Sequence, residues 1–227
     1  MKFKQYTLLV ALTIGFVTAS FSQHKSYRIT NGFGVMGGIT YFDIQTDNFI
    51  TKQSNGFIGG MTATVDIPHK WYNISYGMQL SENHIEVSAR PTAVSSLIEN
   101  VEYKLFAAQV ALIMHIKPIQ DYFTIDVGPM LQYNGKLEFK DKNQEDYIVS
   151  NYDNLTTNDI TNISQFNFNG AIGASAGIKQ FKLKAQYIYG FTNILNKLND
   201  RNLDTSGVNK SFKGNQSMLV FVAMFTF

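Results

Sequence analysis

The stretch Ser217-Met-Leu-Val-Phe-Val-Ala-Met-Phe-Thr-Phe227 carries large apolar residues at alternate positions and ends on an aromatic. In a pleated strand successive side chains point to opposite faces, so Leu219, Phe221, Phe225 and Phe227 share one face. No later segment is there to cover that face, and lipid is its natural solvent. The stretch therefore reads as the closing strand of a transmembrane β-barrel. Phe221, Phe225 and Phe227 are expected to form its assembly signal, engaged by the barrel-assembly machinery during biogenesis.

The same period of two runs through the rest of the chain. Phe181, Leu183, Ala185, Tyr187, Tyr189 and Phe191 fall on one face of a strand, with Lys182, Lys184, Gln186, Ile188 and Gly190 on the other. A helix would mix these two sets. Residues 166–178 set Phe166, Phe168 and Ile172 against Asn167, Asn169, Gly173 and Ser175, and residues 122–133 set Phe123, Ile125, Val127 and Leu131 against Thr124, Asp126 and Gln132. Residues 72–80 oppose Ile74, Tyr76, Met78 and Leu80 to Asn73, Ser75, Gly77 and Gln79; residues 57–67 oppose Phe57, Met61 and Val65 to Thr62, Thr64 and Asp66. With 29–41, 103–116 and the final stretch, eight strands are expected. Each is long enough to cross a bilayer at a tilt, for which about 9–11 residues suffice.

The connections alternate in length. Those at 68–70, 118–121 and 179–180 are tight; Thr46–Asn55, Ile85–Asn100, Lys140–Asn162 and Asn196–Ser211 are long and polar. The expected fold is all-β, an eight-stranded antiparallel transmembrane barrel with short periplasmic turns, long extracellular loops and both termini periplasmic. Trp71, Tyr72, Tyr122, Phe123, Phe181 and Phe227 gather at the short-turn end, and Tyr41, Tyr103, Tyr133, Phe166 and Phe191 at the other. These read as two aromatic girdles at the headgroup levels of the outer-membrane lipid.

Lys2 and Lys4 precede an apolar run from Leu8 to Val17, and Ser20 and Ser22 supply the small residues a signal peptidase reads. Residues 1–22 are expected to be a secretory signal peptide and 23–227 the barrel domain, the apolar run being about half of the roughly 20 residues a membrane helix needs. Loss of two lysines from 19 basic residues against 17 acidic leaves a neutral chain, which gives no argument for a nucleic-acid partner. There is no cysteine, hence no disulfide framework and no lipid-modified cysteine. A soluble eight-stranded barrel would also alternate, but would turn its large apolar residues inward around a ligand. Here the Gly-, Ser-, Asn- and Gln-bearing face is a poor lining for such a cavity.

The Gly-rich first strand Asn31-Gly-Phe-Gly-Val-Met-Gly-Gly38, the Tyr76-Gly77-Met78 of the third, Tyr103 to Pro118 in the fourth and the final Phe227 together resemble the PorT-like outer-membrane barrels of Bacteroidota, similar in plan to the OmpX and OmpA barrels. The resemblance spans the chain after the signal. It implies location and architecture, with secretion across the outer membrane known for one branch only, and it supplies no catalytic residue.

Chemistry-bearing residues are few. Ser81, Glu82, Asn83 and His84, with Ser88 nearby, are the nearest approach to a catalytic set, yet Ser81 falls on the opposite strand face from Glu82 and His84. His24, His69 and His115 show no metal-ligand spacing. Asp141, Glu145, Asp146, Asp153 and Asp159 make the third long loop acidic but lack the turn glycine of a calcium loop, so it reads as solvated. No catalytic, cofactor or metal site is expected. The polar residues Asp66, Gln79, His115, Asp126, Gln132, Lys182, Lys184 and Gln186 are expected to line the lumen, with Asp126 near Lys184 because each sits three positions beyond the start of its strand. Eight strands leave an interior that side chains fill. The expected function is therefore non-enzymatic: loop-mediated binding of an envelope or surface protein, or an accessory role in an outer-membrane assembly. A small-solute channel or a lipid-modifying rim enzyme is the alternative.

Overall fold

The computed structural model describes residues 30–66, 70–119, 122–178, 180–208 and 211–227. The expected signal peptide, His24 and His69 lie outside them. Among the described residues nine strands follow in order: β1 (Thr30–Gln45), β2 (Thr51–Asp66), β3 (Tyr72–Arg90), β4 (Glu99–Ile119), β5 (Phe123–Phe139), β6 (Ile148–Val149), β7 (Phe166–Gly177), β8 (Phe181–Gly190) and β9 (Asn215–Thr226). All pairings are antiparallel. β1 pairs with β2 and β9, and β2 also pairs with β3, so the sheet closes into a ring of eight strands with β6 appended to the far end of β3. Closure leaves no free edge in the ring. The ring is tight: a Cβ at Gly38 would strike the Phe221 carbonyl, and one at Gly128 the Leu112 carbonyl.

Three connections, 67–71, 120–122 and 178–180, gather at what we term the short end; the other four, 46–50, 91–98, 140–165 and 191–214, gather at the long end. Two of the expected long loops are thus shorter than read from sequence. β2 begins at Thr51, and β3 and β4 run 19 and 21 residues, beyond the span a bilayer requires.

The cause is a reversal of amphipathicity within single strands. Along β3 the outward positions run Ile74, Tyr76, Met78 and Leu80 and then Glu82, His84 and Glu86, while the inward positions run Asn73, Ser75, Gln79 and Asn83 and then Ile85, Val87 and Ala89. Parity is kept and chemistry is exchanged. β4 does the same: Leu112, Val110 and Phe106 face out before Lys104 and Glu102, and His115 and Gln109 face in before Leu105, Tyr103 and Val101. β1 and β5 reverse after Tyr41 and Tyr133, passing Asp43 and Lys136 outward.

Tyr103 is the correction this reversal forces. Expected in the outer girdle, it is 0% exposed, turned inward against Phe139, with its hydroxyl donating to the Thr157 carbonyl at 2.9 Å. It lies beyond the reversal, where the apolar face is the inner one, and its hydroxyl finds a partner there as a buried tyrosine requires.

The acidic 140–165 connection keeps Asp141, Asp146 and Asp153 exposed, yet its apolar residues form a core of their own. It folds back with two 3₁₀ turns and buries Val149, Tyr152, Leu155, Ile160 and Ile163. Together with Phe49, Ile194, Leu195, Leu198 and Phe212 from neighbouring connections these fill the long end of the ring. Phe49, Tyr152 and Phe212 form an aromatic trio with centroids 5.8–6.2 Å apart.

Candidate functional site

Inside the ring three zones succeed one another from the short end. In the first, Asp126 on β5 is completely buried and collects donors from three strands besides its own. His115 Nδ1 on β4 lies 2.6 Å from Oδ1, Thr124 Oγ1 donates to the same oxygen at 2.7 Å, and Ser175 on β7 donates to Oδ2. Lys184 Nζ on β8 stands 3.4 Å from Oδ2. On the other side of the imidazole, His115 Nε2 is 2.7 Å from Ser75 Oγ on β3. The placement follows from register: His115 is opposite both Asn73 and Asp126, and Ser175 is opposite Lys184. Asp66 closes the short end with Lys117, 2.8 Å away, and Lys182 is half-buried above Met224.

The second zone is built of amides. Gln79 donates to Gln109 at 2.6 Å and Gln109 to Gln132 at 2.5 Å; Gln132 and Gln216 exchange bonds of 2.7 and 2.9 Å. Gln132 also meets Asn134 and Asn169, so one side chain links strands on opposite arcs of the ring. Buried amides without partners would cost about 1–3 kcal/mol each, which is why they occur here as a connected set. Gln186 departs from this: its amide nitrogen is buried with no hydrogen-bond partner. The third zone is the apolar filling of the long end.

The expected inward residues Asp66, Gln79, His115, Asp126, Gln132, Lys182, Lys184 and Gln186 occupy inward positions; His115, Asp126 and Lys184 join one network and Gln79 and Gln132 another, while Asp66 pairs with Lys117 apart from both. Sequence reading missed Gln109 and Gln216 as members of the amide set and Tyr152, Phe49 and Phe212 as core. Ser75 and Ser175 had been read as inward by parity, with no role. Tyr41, Trp71, Tyr72, Tyr122, Phe123, Tyr133, Phe166, Phe181, Phe191, Phe221, Phe225 and Phe227 all face outward or stand exposed at the ring's ends. Trp71–Tyr72 and Phe225–Phe227 make edge contacts at the short end, and Tyr133–Phe166 one further up.

Outside the ring, beyond the reversal, lies a charged collar. His84 sits between two carboxylates, 3.0 Å from Glu82 and 3.1 Å from Glu102; Lys140 bonds Glu102 at 2.8 Å and Lys52 bonds Glu86 at 3.0 Å. Ser81 points inward and accepts from Asn83 Nδ2 at 2.8 Å, and Ser88 Oγ donates to Asn100, so neither candidate serine is bonded to His84. Among the described residues no cluster of His, Asp or Glu is placed to hold a metal ion. In the packed loops of the long end, which form a cap on the ring, Asp204 accepts from the Ser206 backbone N–H at 2.9 Å and from Asn154 Nδ2 at 2.9 Å, and hydrogen bonding from these two residues holds its carboxyl down at about 2.

These features define a closed, antiparallel all-β ring with a polar interior at one end and an apolar filling at the other. No family model and no curated protein matches the chain. Among solved structures it is similar to Neisserial surface protein A, at 12% identity over 86% of this chain and 97% of that one with a TM-score of 0.48. It is also similar to Ail of Yersinia pestis, solved with the heparin analogue sucrose octasulfate, at 11% identity over 87% and 99% with a TM-score of 0.43. The NanC porin aligns at 9% identity over 86% and 100% with a TM-score of 0.24. All three scores lie below 0.5.

Proposed function

We propose that the chain is an integral outer-membrane β-barrel that acts through the outer face of its cap, by binding another envelope or surface protein. The observation that carries the reading is the reversal of amphipathicity: the ring's exterior is apolar up to one level on neighbouring strands and charged beyond it. Leu80 and Phe57 are 69% and 68% exposed just below that level, a state water disfavours and acyl chains satisfy. The short end, with Thr30 and Phe227, faces the periplasm, and the charged collar and cap face outward.

Two alternatives lose support. A channel needs an open path, whereas the long end is packed with aromatic and aliphatic side chains. A rim enzyme needs a nucleophile beside His84, and Ser81 lies on the other side of the wall. Binding has a surface to work with. In the 91–98 tip Val94 is 95% exposed, and Leu97 and Ile98 stand beside it, apolar and unpacked beyond the bilayer. Such a patch fits an accessory subunit of an outer-membrane assembly, of which the secretion role known for one branch of the PorT-like barrels is one instance.

The test is crosslinking and co-purification in mild detergent, comparing the wild type with Val94→Ser/Leu97→Ser/Ile98→Ser. Loss of the bound partner at unchanged barrel yield is expected. The same partners recovered with both proteins would overturn the assignment to this tip.

A further inference from the structure

The first interior zone has a connectivity that a merely satisfied polar cluster does not require. Ser75 Oγ, His115 Nε2, His115 Nδ1 and Asp126 Oδ1 follow one another at 2.7 and 2.6 Å, in the order that a serine nucleophile, its base and the carboxylate orienting that base adopt. Donor counting fixes the direction. Asp126 receives Thr124, Ser175 and Lys184 as well as His115, so it serves as a carboxylate, and an acceptor-only carboxylate places the imidazole proton on Nδ1. In the neutral ring Nε2 is then the acceptor of the Ser75 hydroxyl proton.

A cavity adjoins this relay. It offers about 30 Å³ to the centre of a water molecule, room for two or three waters or a group of acetyl size, and Ser75, His115, Lys184 and Gln186 line it. His115 and Lys184 each keep 10% side-chain exposure whereas Asp126 keeps 0%; with the long end filled, solvent reaches them from the short end. Gln186 contributes the second, independent observation: it is buried, it borders the cavity, and its amide nitrogen has no partner. Its N–H groups and the Lys184 ammonium are the donors at hand for a developing oxyanion.

We propose that Ser75, His115 and Asp126 form a nucleophilic relay inside the barrel, open from the short end and able to accept a small acyl or sulfonyl group. With an ester, Ser75 Oγ bonds to the carbonyl carbon while its proton passes to His115 Nε2, and the carbonyl oxygen becomes an oxyanion. Collapse breaks the bond to the alcohol oxygen, which leaves with the proton from His115, and the acyl group stays on Ser75. A water then gives its proton to His115, attacks the acyl carbon and releases the carboxylic acid, returning the proton to Ser75 Oγ. Asp126 holds the imidazole in the tautomer both steps need. It is a positioning residue, as are Thr124 and Ser175 behind it.

The full-length barrel in detergent micelles, its folding verified by gel mobility without boiling, is treated with methanesulfonyl fluoride, and the adduct is located by peptide mass spectrometry. Here Ser75 displaces fluoride at sulfur and its proton leaves through His115. One methanesulfonyl group on Ser75 is expected, absent in Ser75→Ala, unchanged in Ser81→Ala and formed at least tenfold more slowly in His115→Gln. Ser81, inward but beyond the amide zone and with no base beside it, is expected to stay unlabelled. Folded wild type that carries no adduct on Ser75, or carries as much on Ser81, would overturn the proposal. So would a His115→Gln variant that folds and labels at the wild-type rate.

Discussion

Four donors converge on the Asp126 carboxylate, and only Lys184 brings a full charge that does not depend on protonation of a ring. Removing one partner of a buried pair leaves the other uncompensated, at a cost of about 3–5 kcal/mol. Asp126→Asn is expected to destabilise by that amount in denaturant unfolding. Adding Lys184→Gln returns part of the loss, a coupling of about 1–3 kcal/mol, but not all, because His115, Thr124 and Ser175 still face a weaker acceptor. Coupling within error of zero would mean that Lys184 is hydrated by the short-end opening. The inward face of both residues follows from parity alone, since each sits three positions past its strand's first aromatic. The Ser75–His115 contact does not follow: it depends on the register that sets Asn73 opposite His115, which no residue pattern numbers. Gln109 and Gln216 were illegible for the same reason. A neutral amide on an inward position signals nothing until its cross-strand partners are aligned.

At the level of the strand, alternation was read with a fixed rule, apolar outward, and that rule ends a strand where its chemistry reverses. Ile85, Val87 and Ala89 continue β3 with the same parity as Asn83, yet their apolar side chains on the polar face made 85–100 read as a loop. Tyr103 was misplaced for the mirrored reason on β4. The lower halves of the strands were legible because one solvent, lipid, governs their whole exterior; the upper halves obey the rule for water-soluble sheets. A charge should then be costly or cheap by height rather than by strand. Met78→Lys, midway along the apolar exterior, is expected to lower stability in lipid vesicles by about 2–4 kcal/mol, the cost of a lysine near the bilayer midplane. Ser88→Lys, ten residues on and equally outward, should change it by no more than about 0.5 kcal/mol. Equal penalties would place Ser88 in lipid as well and remove the boundary drawn at Leu80.

For the whole molecule, the ring and the cap are held together by different interactions. The ring is held by continuous pairing through β1–β9 and β2–β3, without an edge from which to unravel. The cap is an apolar core packed from loop segments around Phe49, Tyr152 and Phe212, with Arg90 donating to the Tyr152 carbonyl at 2.7 Å. Nothing in the pairing of the ring depends on those aromatics. Phe212→Ala, which opens a cavity in the trio, should cost the cap about 3–5 kcal/mol and leave the ring intact. The unboiled variant and the unboiled wild type are therefore both expected to run ahead of their boiled forms on a denaturing gel, while trypsin cuts the variant at Lys197 and Arg201 much faster than the wild type. Planar bilayers test the same division: loosening the cap alone leaves the amide zone around Gln132 across the lumen, so no conductance is expected from either the variant or the wild type. If Phe212→Ala instead abolishes the mobility difference, cap and ring fold as one cooperative unit and the cap is structural support for the barrel rather than a separate binding platform.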